Sequence, residues 1–176
     1  MNNNVHLVLG GARSGKSSFA EKMAIESAKE VVYIATATIY DDEMQTRIDR
    51  HIDDRPAHWL TIEEPLLLAQ TLKQQAAEDK CLLVDCLTLW LSNVLMAEEN
   101  AKEFSAYKEA LLTVLPSLPG QIILVSNEVG QGIVPMGELS RRFVDEAGWL
   151  HQDIARLAQQ VTLVVAGLPM KLKHVE

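Results

Sequence analysis

A glycine-rich run near the start of the chain has the residue types and spacing of a phosphate-binding loop. Residues 10–17 are Gly-Gly-Ala-Arg-Ser-Gly-Lys-Ser, which fits the pattern G-x-x-x-x-G-K-[ST]. Glycines let the backbone wrap a phosphate so that several N–H groups point at the anion, and the following helix adds its positive end. Lys16 would reach the outer phosphates, and the Ser17 hydroxyl would bind Mg²⁺. An accidental glycine turn is the alternative, but this run lies between a strand pattern and a helix pattern, as the motif requires.

Polar side chains end two further apolar runs. Asp85 follows the run at residues 82–84 and suits a carboxylate directed at the metal, although an Asp there also suits a cap of the next turn. Asn127 and Glu128 end another run, where a loop-forming pair and a catalytic role fit equally well. Ligands of open α/β sheets collect at the carboxyl ends of strands, where we expect the loop that begins at Asn127 to lie with the glycine loop.

A predicted polar helix at residues 41–55 carries a third set of reactive side chains. Apolar residues at positions 44, 48 and 52 would anchor it on the sheet, while Arg47, His51 and Arg55 form a second stripe with the same spacing. Guanidinium groups suit phosphate oxygens, and imidazole can act as a nucleophile or a base. On spacing alone, a solvated helix face with an ordinary histidine is the plainer interpretation. Ordinary structural roles also account for His6, His58, His151 and His174.

Short apolar runs alternate with helix patterns along the whole chain. Strands are predicted at residues 5–9, 31–35, 81–84, 121–125 and 161–166. Helices are predicted at residues 16–29, 65–79, 104–115 and 138–160, and a glycine-bearing loop at residues 127–137. This alternation predicts a single α/β domain over residues 1–176 with a mostly parallel sheet.

Composition narrows the classes of function. The chain has 176 residues, with 16 Lys and Arg against 24 Asp and Glu, and the resulting charge of −8 argues against nucleic acid as the main partner. Cys81 and Cys86 bracket a predicted strand, so their Cα atoms would lie about 16 Å apart, too far for a disulfide. The histidines and cysteines lack the spacing of a zinc site. With neither a signal peptide nor a membrane-spanning run in this sequence, we expect a cytoplasmic protein.

Several classes of nucleotide-binding protein share the glycine loop. A regulatory GTPase would normally carry an Asn-Lys-x-Asp segment, which the sequence lacks, and a DNA-dependent ATPase would favour a basic surface. A small-molecule kinase remains, and a nucleotide-binding regulator that transfers no group is the open alternative.

The glycine loop occurs together with several other motifs. They are residues 33–36 (Tyr-Ile-Ala-Thr), 41–44 (Asp-Asp-Glu-Met), 47–56 (Arg-Ile-Asp-Arg-His-Ile-Asp-Asp-Arg-Pro), Trp59, 61–64 (Thr-Ile-Glu-Glu), 127–130 (Asn-Glu-Val-Gly), 132–135 (Gly-Ile-Val-Pro) and 164–167 (Val-Val-Ala-Gly). In this combination the chain resembles, over nearly its whole length, the bifunctional adenosylcobinamide kinase / adenosylcobinamide-phosphate guanylyltransferase family of cobalamin biosynthesis.

The resemblance implies two reactions on a P-loop fold of the RecA-like kind, a three-layer sandwich around a mostly parallel sheet. ATP or GTP phosphorylates the aminopropanol hydroxyl of adenosylcobinamide, and GTP then transfers GMP to His51 and on to the cobinamide phosphate. It also implies a homotrimer with nucleotide near the subunit boundaries. The implied nucleotide contacts are Gly10, Gly11, Ala12, Arg13, Ser14, Gly15, Lys16, Ser17, Ala35, Thr36, Ala37, Ile52, Asp53, Asp54, Arg55, Glu63 and Asp85.

Overall fold

The computed structural model describes residues 4–38, 56–97 and 101–174. The predicted helix at residues 41–55 lies outside the described residues. The expectations for Arg47, for His51 and for the nucleotide contacts Ile52, Asp53, Asp54 and Arg55 therefore stay sequence-based predictions.

Seven strands form one sheet. They are β1 (Val5–Gly10), β2 (Glu30–Ala35), β3 (Leu60–Glu63), β4 (Lys80–Asp85), β5 (Gln121–Asn127), β6 (Gln160–Val165) and β7 (Leu168–His174). Their spatial order is β3-β2-β4-β5-β1-β6-β7. All neighbours pair in parallel except β7, which runs antiparallel to β6. The prediction of a mostly parallel sheet is confirmed.

In the described part of the chain, helices connect β1 to β2, β3 to β4, β4 to β5 and β5 to β6, and they cover both faces of the sheet. They are α1 (Lys16–Glu26), α2 (Leu68–Gln75), α3 (Leu87–Ala97), α4 (Ala101–Val114) and α5 (Glu138–Leu157), with a short 3₁₀ turn at Leu115–Ser117. One apolar cluster joins the sheet to α2, α3, α4 and α5. A second, smaller cluster packs α1 and Trp59 on the opposite face. The described residues therefore form the three layers that the resemblance implied.

The five predicted strands are the ones that lie inside the sheet or carry long apolar runs. β1 is buried at every residue, which is why it reads as an uninterrupted apolar run. The two edge strands, β3 and β7, were not predicted because they lack an uninterrupted apolar run. None of the four residues of β3 is buried, and β7 alternates apolar and polar side chains that are nearly all exposed. An edge strand has one neighbour and needs no continuous apolar sequence.

Helix α3 was not predicted because its sequence is apolar on most sides. Its buried leucines, valine and tryptophan have helical spacing, but Leu89 and Met96 place apolar side chains on the remaining surface, so the contrast between the two faces is weak. The predicted helices end differently in detail. α2 begins at Leu68 rather than at Pro65, and α1 ends at Glu26 rather than at residue 29, just before Ala28 turns to a φ of 55°.

Candidate active site

The glycine loop connects β1 to α1 in a conformation that suits an anion. Arg13 and Gly15 have φ values of 55° and 91°, in the left-handed region where glycine is favoured. Gly15 is the N-cap of α1 and brings no side chain to cap the helix. The N–H groups of Lys16 and Ser17 have no partners inside the helix, since they belong to its first turn. The loop therefore presents backbone donors and a positive helix end at one place.

Close contacts to the rest of the sheet fix the shape of this loop. A Cβ on Gly10 would lie 2.3 Å from Ser14 Oγ and 2.8 Å from the Val164 carbonyl oxygen, so only glycine fits there. Gly167 donates its N–H to the Ser14 carbonyl at 2.8 Å. It stands in the β6–β7 turn, where Ala166 and Gly167 both have positive φ. The Val-Val-Ala-Gly motif at residues 164–167 thus holds the phosphate loop from one side.

The Lys16 side chain lies inside the loop, with 8% of its surface exposed. Its Nζ donates to the Gly11 carbonyl at 3.1 Å, so the ammonium points back over the loop. Burial lowers the pKa of Lys16 below its usual value, and the nearby acidic groups of Cys86 and Asp85 oppose that shift. Lys16 and Asp85, predicted to act on the same nucleotide, are therefore close enough for their charges to interact.

Asp85 ends β4, as predicted, and a tyrosine on the neighbouring strand orients its carboxylate. Tyr33 donates its phenol O–H to Asp85 Oδ2 at 2.8 Å. This bond leaves the other carboxylate oxygen for another partner and limits rotation of the side chain. Sequence reasoning gave Tyr33 no role, although a phenol in a buried strand needs a polar partner.

A buried threonine ties the ends of β2 and β4 together next to Asp85. The Cys86 N–H donates to Thr36 Oγ1 at 2.9 Å, while the Thr36 hydroxyl donates to the Cys86 carbonyl at 2.6 Å. Asn93 of α3 donates to the Thr36 carbonyl at 2.7 Å. The Thr36 N–H also donates to the Asp85 carbonyl at 3.2 Å, so every polar atom of this buried residue has a partner within the protein, and its nucleotide contact stays a sequence-based prediction. Ala35 and Ala37 flank it, half-buried.

The end of β5 lies beside the phosphate loop. Asn127 pairs with Gly10 in the strand register, and the Glu128 N–H donates to the Gly10 carbonyl at 2.9 Å. The Asn127 amide donates to Thr88 Oγ1 at 3.0 Å, which holds it against the start of α3. The interpretation of Asn127 as a structural residue is therefore the better supported one, while the Glu128 backbone is fixed beside Gly10 and its carboxylate accepts the Gly130 N–H.

The two glutamates at the carboxyl end of β3, Glu63 and Glu64, are farther from the phosphate loop. Glu64 accepts the N–H groups of Leu66 and Leu67 at 2.9 and 2.7 Å and so caps the segment that leads into α2. Glu63 is exposed at the end of the edge strand. With strands about 4.8 Å apart, it lies four strand spacings, roughly 19 Å, from the strand that carries the phosphate loop. Within the described residues Glu63 does not join the cluster around Lys16.

Comparison with known proteins places this architecture in one family. The family described as Cobinamide kinase / cobinamide phosphate guanyltransferase matches residues 6–172. The bifunctional adenosylcobalamin biosynthesis protein CobP of Pseudomonas aeruginosa is 60% identical over 167 residues, which cover 95% of this chain and 96% of that protein. The protein CobU of Salmonella typhimurium, described in the same words, is 43% identical and covers 95% and 98%. The chain belongs to the cobinamide kinase / cobinamide phosphate guanyltransferase family.

Two solved structures share the fold at low sequence identity. The protein of Project ID PH0250 from Pyrococcus horikoshii OT3 aligns with a TM-score of 0.58 and 10% identity over 99% of this chain and 88% of that one. The RadB recombinase aligns with a TM-score of 0.50 and 13% identity over 92% and 74%. This member of the cobinamide kinase family therefore has the RecA-like α/β fold.

The residues of this family member fit a magnesium–nucleotide complex. Mg²⁺ prefers oxygen ligands and usually keeps one or two protein groups besides phosphate oxygens. The Ser17 hydroxyl in the first turn of α1 and the oriented carboxylate of Asp85 are such groups. In the described part of the chain, His, Cys, Asp and Glu do not gather in groups of three or more that could hold a metal ion by themselves.

Two further predictions concern the thiols and the membrane. Cys81 and Cys86 are free and buried, as expected, and burial raises the pKa of the Cys81 thiol to about 11. Over residues 4–38, 56–97 and 101–174, none of the helices has both the length and the apolar character needed to cross a bilayer.

Proposed function

We propose that this chain phosphorylates the aminopropanol hydroxyl of adenosylcobinamide with ATP or GTP and then transfers GMP from GTP to the product. The observation that carries the proposal is the phosphate loop, with Lys16 buried in it and Asp85 near enough to act on its charge, in a member of this family. An alternative is a P-loop kinase with another small-molecule substrate.

The phosphorylation step depends on the phosphate loop, Lys16, Ser17 and Asp85. The loop N–H groups and Lys16 hold the outer phosphates, and Lys16 offsets the charge that develops as the γ-phosphoryl group moves. Ser17 and Asp85 would hold Mg²⁺, which when bound neutralises phosphate charge. The substrate oxygen forms a bond to the γ-phosphorus, the bond to the leaving nucleoside diphosphate breaks, and the hydroxyl proton passes to a base.

The guanylyl transfer depends on His51. A neutral imidazole nitrogen attacks the α-phosphorus of GTP, pyrophosphate leaves, and the cobinamide phosphate then displaces the histidine from GMP. Arg47 and Arg55 stand four residues to either side in the sequence and would stabilise charge on the α-phosphate. The nucleotide contacts proposed for this step are residues 52–55 and 35–37 and Glu63, in addition to the loop and Asp85.

We also propose a domain organisation, a cellular location and an oligomeric state for this chain. The whole chain, residues 1–176, forms one domain that performs both steps in the cytoplasm as a homotrimer. Two observations support the assembly, namely the strongly exposed apolar side chains Ile133 and Met136 at the nucleotide edge of the sheet and the family resemblance. The free thiols of Cys81 and Cys86 suit a reducing compartment.

Incubation with α-labelled GTP and Mg²⁺ tests the transferase proposal. We expect a covalent label that survives denaturation and moves to cobinamide phosphate when that acceptor is added. A label that dissociates on denaturation would instead identify a nucleotide-binding regulator. Phosphorylation of adenosylcobinamide with γ-labelled ATP tests the kinase step separately, and a different preferred acceptor would favour the alternative kinase.

A further inference from the structure

A carboxylate, an imidazole and a hydroxyl form a row behind the phosphate loop. Ser126 Oγ lies 2.7 Å from His151 Nε2, and His151 Nδ1 lies 3.9 Å from Glu128 Oε2. Ser126 and Glu128 belong to the end of β5, whereas His151 projects from α5. Sequence reasoning assigned His151 an ordinary helical position. The missed signal is that it shares one helix face with the buried Ala147, Leu150 and Ile154, where an imidazole needs a polar partner.

The row can orient a carboxylate but cannot supply a serine nucleophile. Ser126 has no exposed surface, so a substrate cannot reach its hydroxyl. Burial lowers the pKa of His151, and the nearby Glu128 opposes that shift. A neutral imidazole that accepts the Ser126 O–H at Nε2 carries its proton on Nδ1, directed at Glu128.

Glu128 is the member of the row that reaches solvent. Its side chain is 24% exposed. Oε1 accepts the Gly130 N–H at 2.7 Å, and the Glu128 N–H is bound to the Gly10 carbonyl. The Glu128 backbone is therefore fixed beside Gly10, the first residue of the phosphate loop, one carboxylate oxygen is held by the Gly130 N–H, and the other lies 3.9 Å from the imidazole.

Other acidic groups at the ends of described strands are engaged elsewhere or lie farther away. In the sheet order, β5 is the immediate neighbour of β1, β4 is two strand spacings away and β3 is four. At about 4.8 Å per spacing, Glu128 starts roughly 5 Å from the β1 axis, Asp85 roughly 10 Å and Glu63 roughly 19 Å. Asp85 is the proposed metal ligand, and Glu64 caps the start of α2.

We propose that Glu128 is the base of the phosphorylation step and that His151, held by Ser126, positions it. The substrate hydroxyl loses its proton to the Glu128 carboxylate as its oxygen bonds to the γ-phosphorus, and the nucleoside diphosphate leaves with the electrons of the broken P–O bond. Guanylylation of His51 needs no such base, since the attacking nitrogen is already neutral. This role rests on the proposed function and deepens its first step.

Glu128→Gln tests the base, with both activities measured on one preparation. We expect kcat for phosphorylation of adenosylcobinamide to fall about 10²-fold or more, the range of general-base contributions, with KM for ATP little changed. Covalent labelling by α-labelled GTP should persist at the wild-type rate. Glu128→Asp should recover part of kcat. Glu138→Gln removes an exposed carboxylate at the start of α5 and is the matched control, expected to behave as wild type.

His151→Gln tests the positioning role by a double-mutant cycle. We expect kcat to fall about tenfold with KM unchanged, and the double variant with Glu128→Gln to be no slower than Glu128→Gln alone, because His151 acts only through that carboxylate. If His151 had only a structural role, His151→Gln would lower kcat by the same factor in the wild type and in Glu128→Gln. If thermal melting shows that His151→Gln does not fold, Ser126→Ala takes its place in the cycle.

Three results would contradict the inference in different ways. Wild-type kcat in Glu128→Gln overturns the role of the base while leaving the proposed function intact. Equal loss of phosphorylation and GMP labelling in that variant would make Glu128 a structural residue of the loop. A wild-type chain that does not phosphorylate adenosylcobinamide overturns the proposed function and this role together.

Discussion

At the scale of single residues, the site consists of charged groups that are held by their own loop or by a neighbouring strand. Lys16 is covered by its own loop and is influenced by Asp85, and Asp85 in turn is held by Tyr33. The phosphate-loop motif predicted Lys16, and the apolar run at residues 82–84 predicted Asp85. The hydrogen bond from Tyr33 to Asp85 could not be predicted, because the local sequence does not show that β2 and β4 are neighbouring strands.

Lys16→Ala should abolish phosphorylation while the protein remains folded. The variant loses one bond to the Gly11 carbonyl but also removes a desolvated charge, so we expect the free energy of unfolding to change by about 1 kcal/mol at most. Activity should fall by about 10²-fold or more, because charge on the transferred group loses its partner. Denaturant unfolding and an ATP-dependent phosphorylation assay check the two effects. Wild-type kinase activity would show that the loop is misassigned.

The Mg²⁺ dependence should reveal the pairing of Asp85 with Tyr33. Asp85→Asn removes a charged ligand, so the half-saturating Mg²⁺ concentration should rise about tenfold or more. Tyr33→Phe leaves the carboxylate but frees its rotation, so a smaller rise in the same direction is expected. Tyr107→Phe, on α4, is the matched phenol deletion and should leave the titration unchanged. Identical Mg²⁺ curves in all four proteins would return Asp85 to a turn-capping role.

His51→Ala should separate the two activities. We expect loss of GMP labelling and of GMP transfer, with much of the phosphorylation retained, because the substrate hydroxyl attacks the γ-phosphate without a histidine. The adduct on the wild-type protein should be acid-labile and comparatively stable to alkali, as a P–N bond is. His58→Ala, an exposed histidine seven residues away, is the control. Peptide mapping that places GMP on His58 or on a lysine would contradict the assignment.

At the scale of elements, the predictability of each strand follows its position in the sheet. β1, β4 and β5 are buried on both faces and read as apolar runs, whereas β3 and β7 are exposed edges without such a pattern. Helix α3 was missed for the opposite reason, since it is apolar almost all round. The phosphate-loop motif predicted the nucleotide site. The row of Ser126, His151 and Glu128 could not be predicted from the sequence, because it forms only when α5 packs on β5.

The β6–β7 turn offers a test at this scale. Ala166 has a φ of 51°, a conformation that costs an L-residue with a Cβ about 1 kcal/mol, and Asn tolerates it better. Ala166→Asn should therefore stabilise the protein by about 0.5–1 kcal/mol, or raise Tm by roughly 2–3 °C, whereas Ala166→Val should lower Tm. Differential scanning calorimetry of Ala166→Asn and Ala166→Val measures both changes in Tm. A stabilising valine would mean that the turn is built differently.

At the scale of the whole molecule, apolar side chains remain uncovered on the described part of the single chain. Ile133 and Met136 are 98% and 94% exposed between β5 and α5, at the same sheet edge as the phosphate loop. Such exposure is typical of surfaces that contact a partner. We therefore propose that this segment lies at a subunit boundary of the proposed trimer.

Sedimentation velocity should show a trimer that a charge in this segment disrupts. Ile133→Glu combined with Met136→Glu places two carboxylates in the proposed contact, so we expect a shift to smaller species at micromolar concentration. Ile25→Glu changes an exposed isoleucine on α1 and should sediment as wild type. A wild-type monomer would contradict the assembly, and an intact trimer in the double variant would place the contact elsewhere on the chain.

The two backbone ties on the phosphate loop have a consequence for synthesis of the chain. The N–H groups of Glu128 and Gly167 hold Gly10 and Ser14, and among the described strands β1 pairs with β5 and β6. A ribosome that has just made the loop must therefore add more than a hundred residues before any of these partners exists. Contacts so distant in sequence form late and slowly. An early nascent chain therefore lacks the contacts that shape this loop, and β1, buried at every residue in the folded protein, has neither of its neighbouring strands until β5 and β6 emerge.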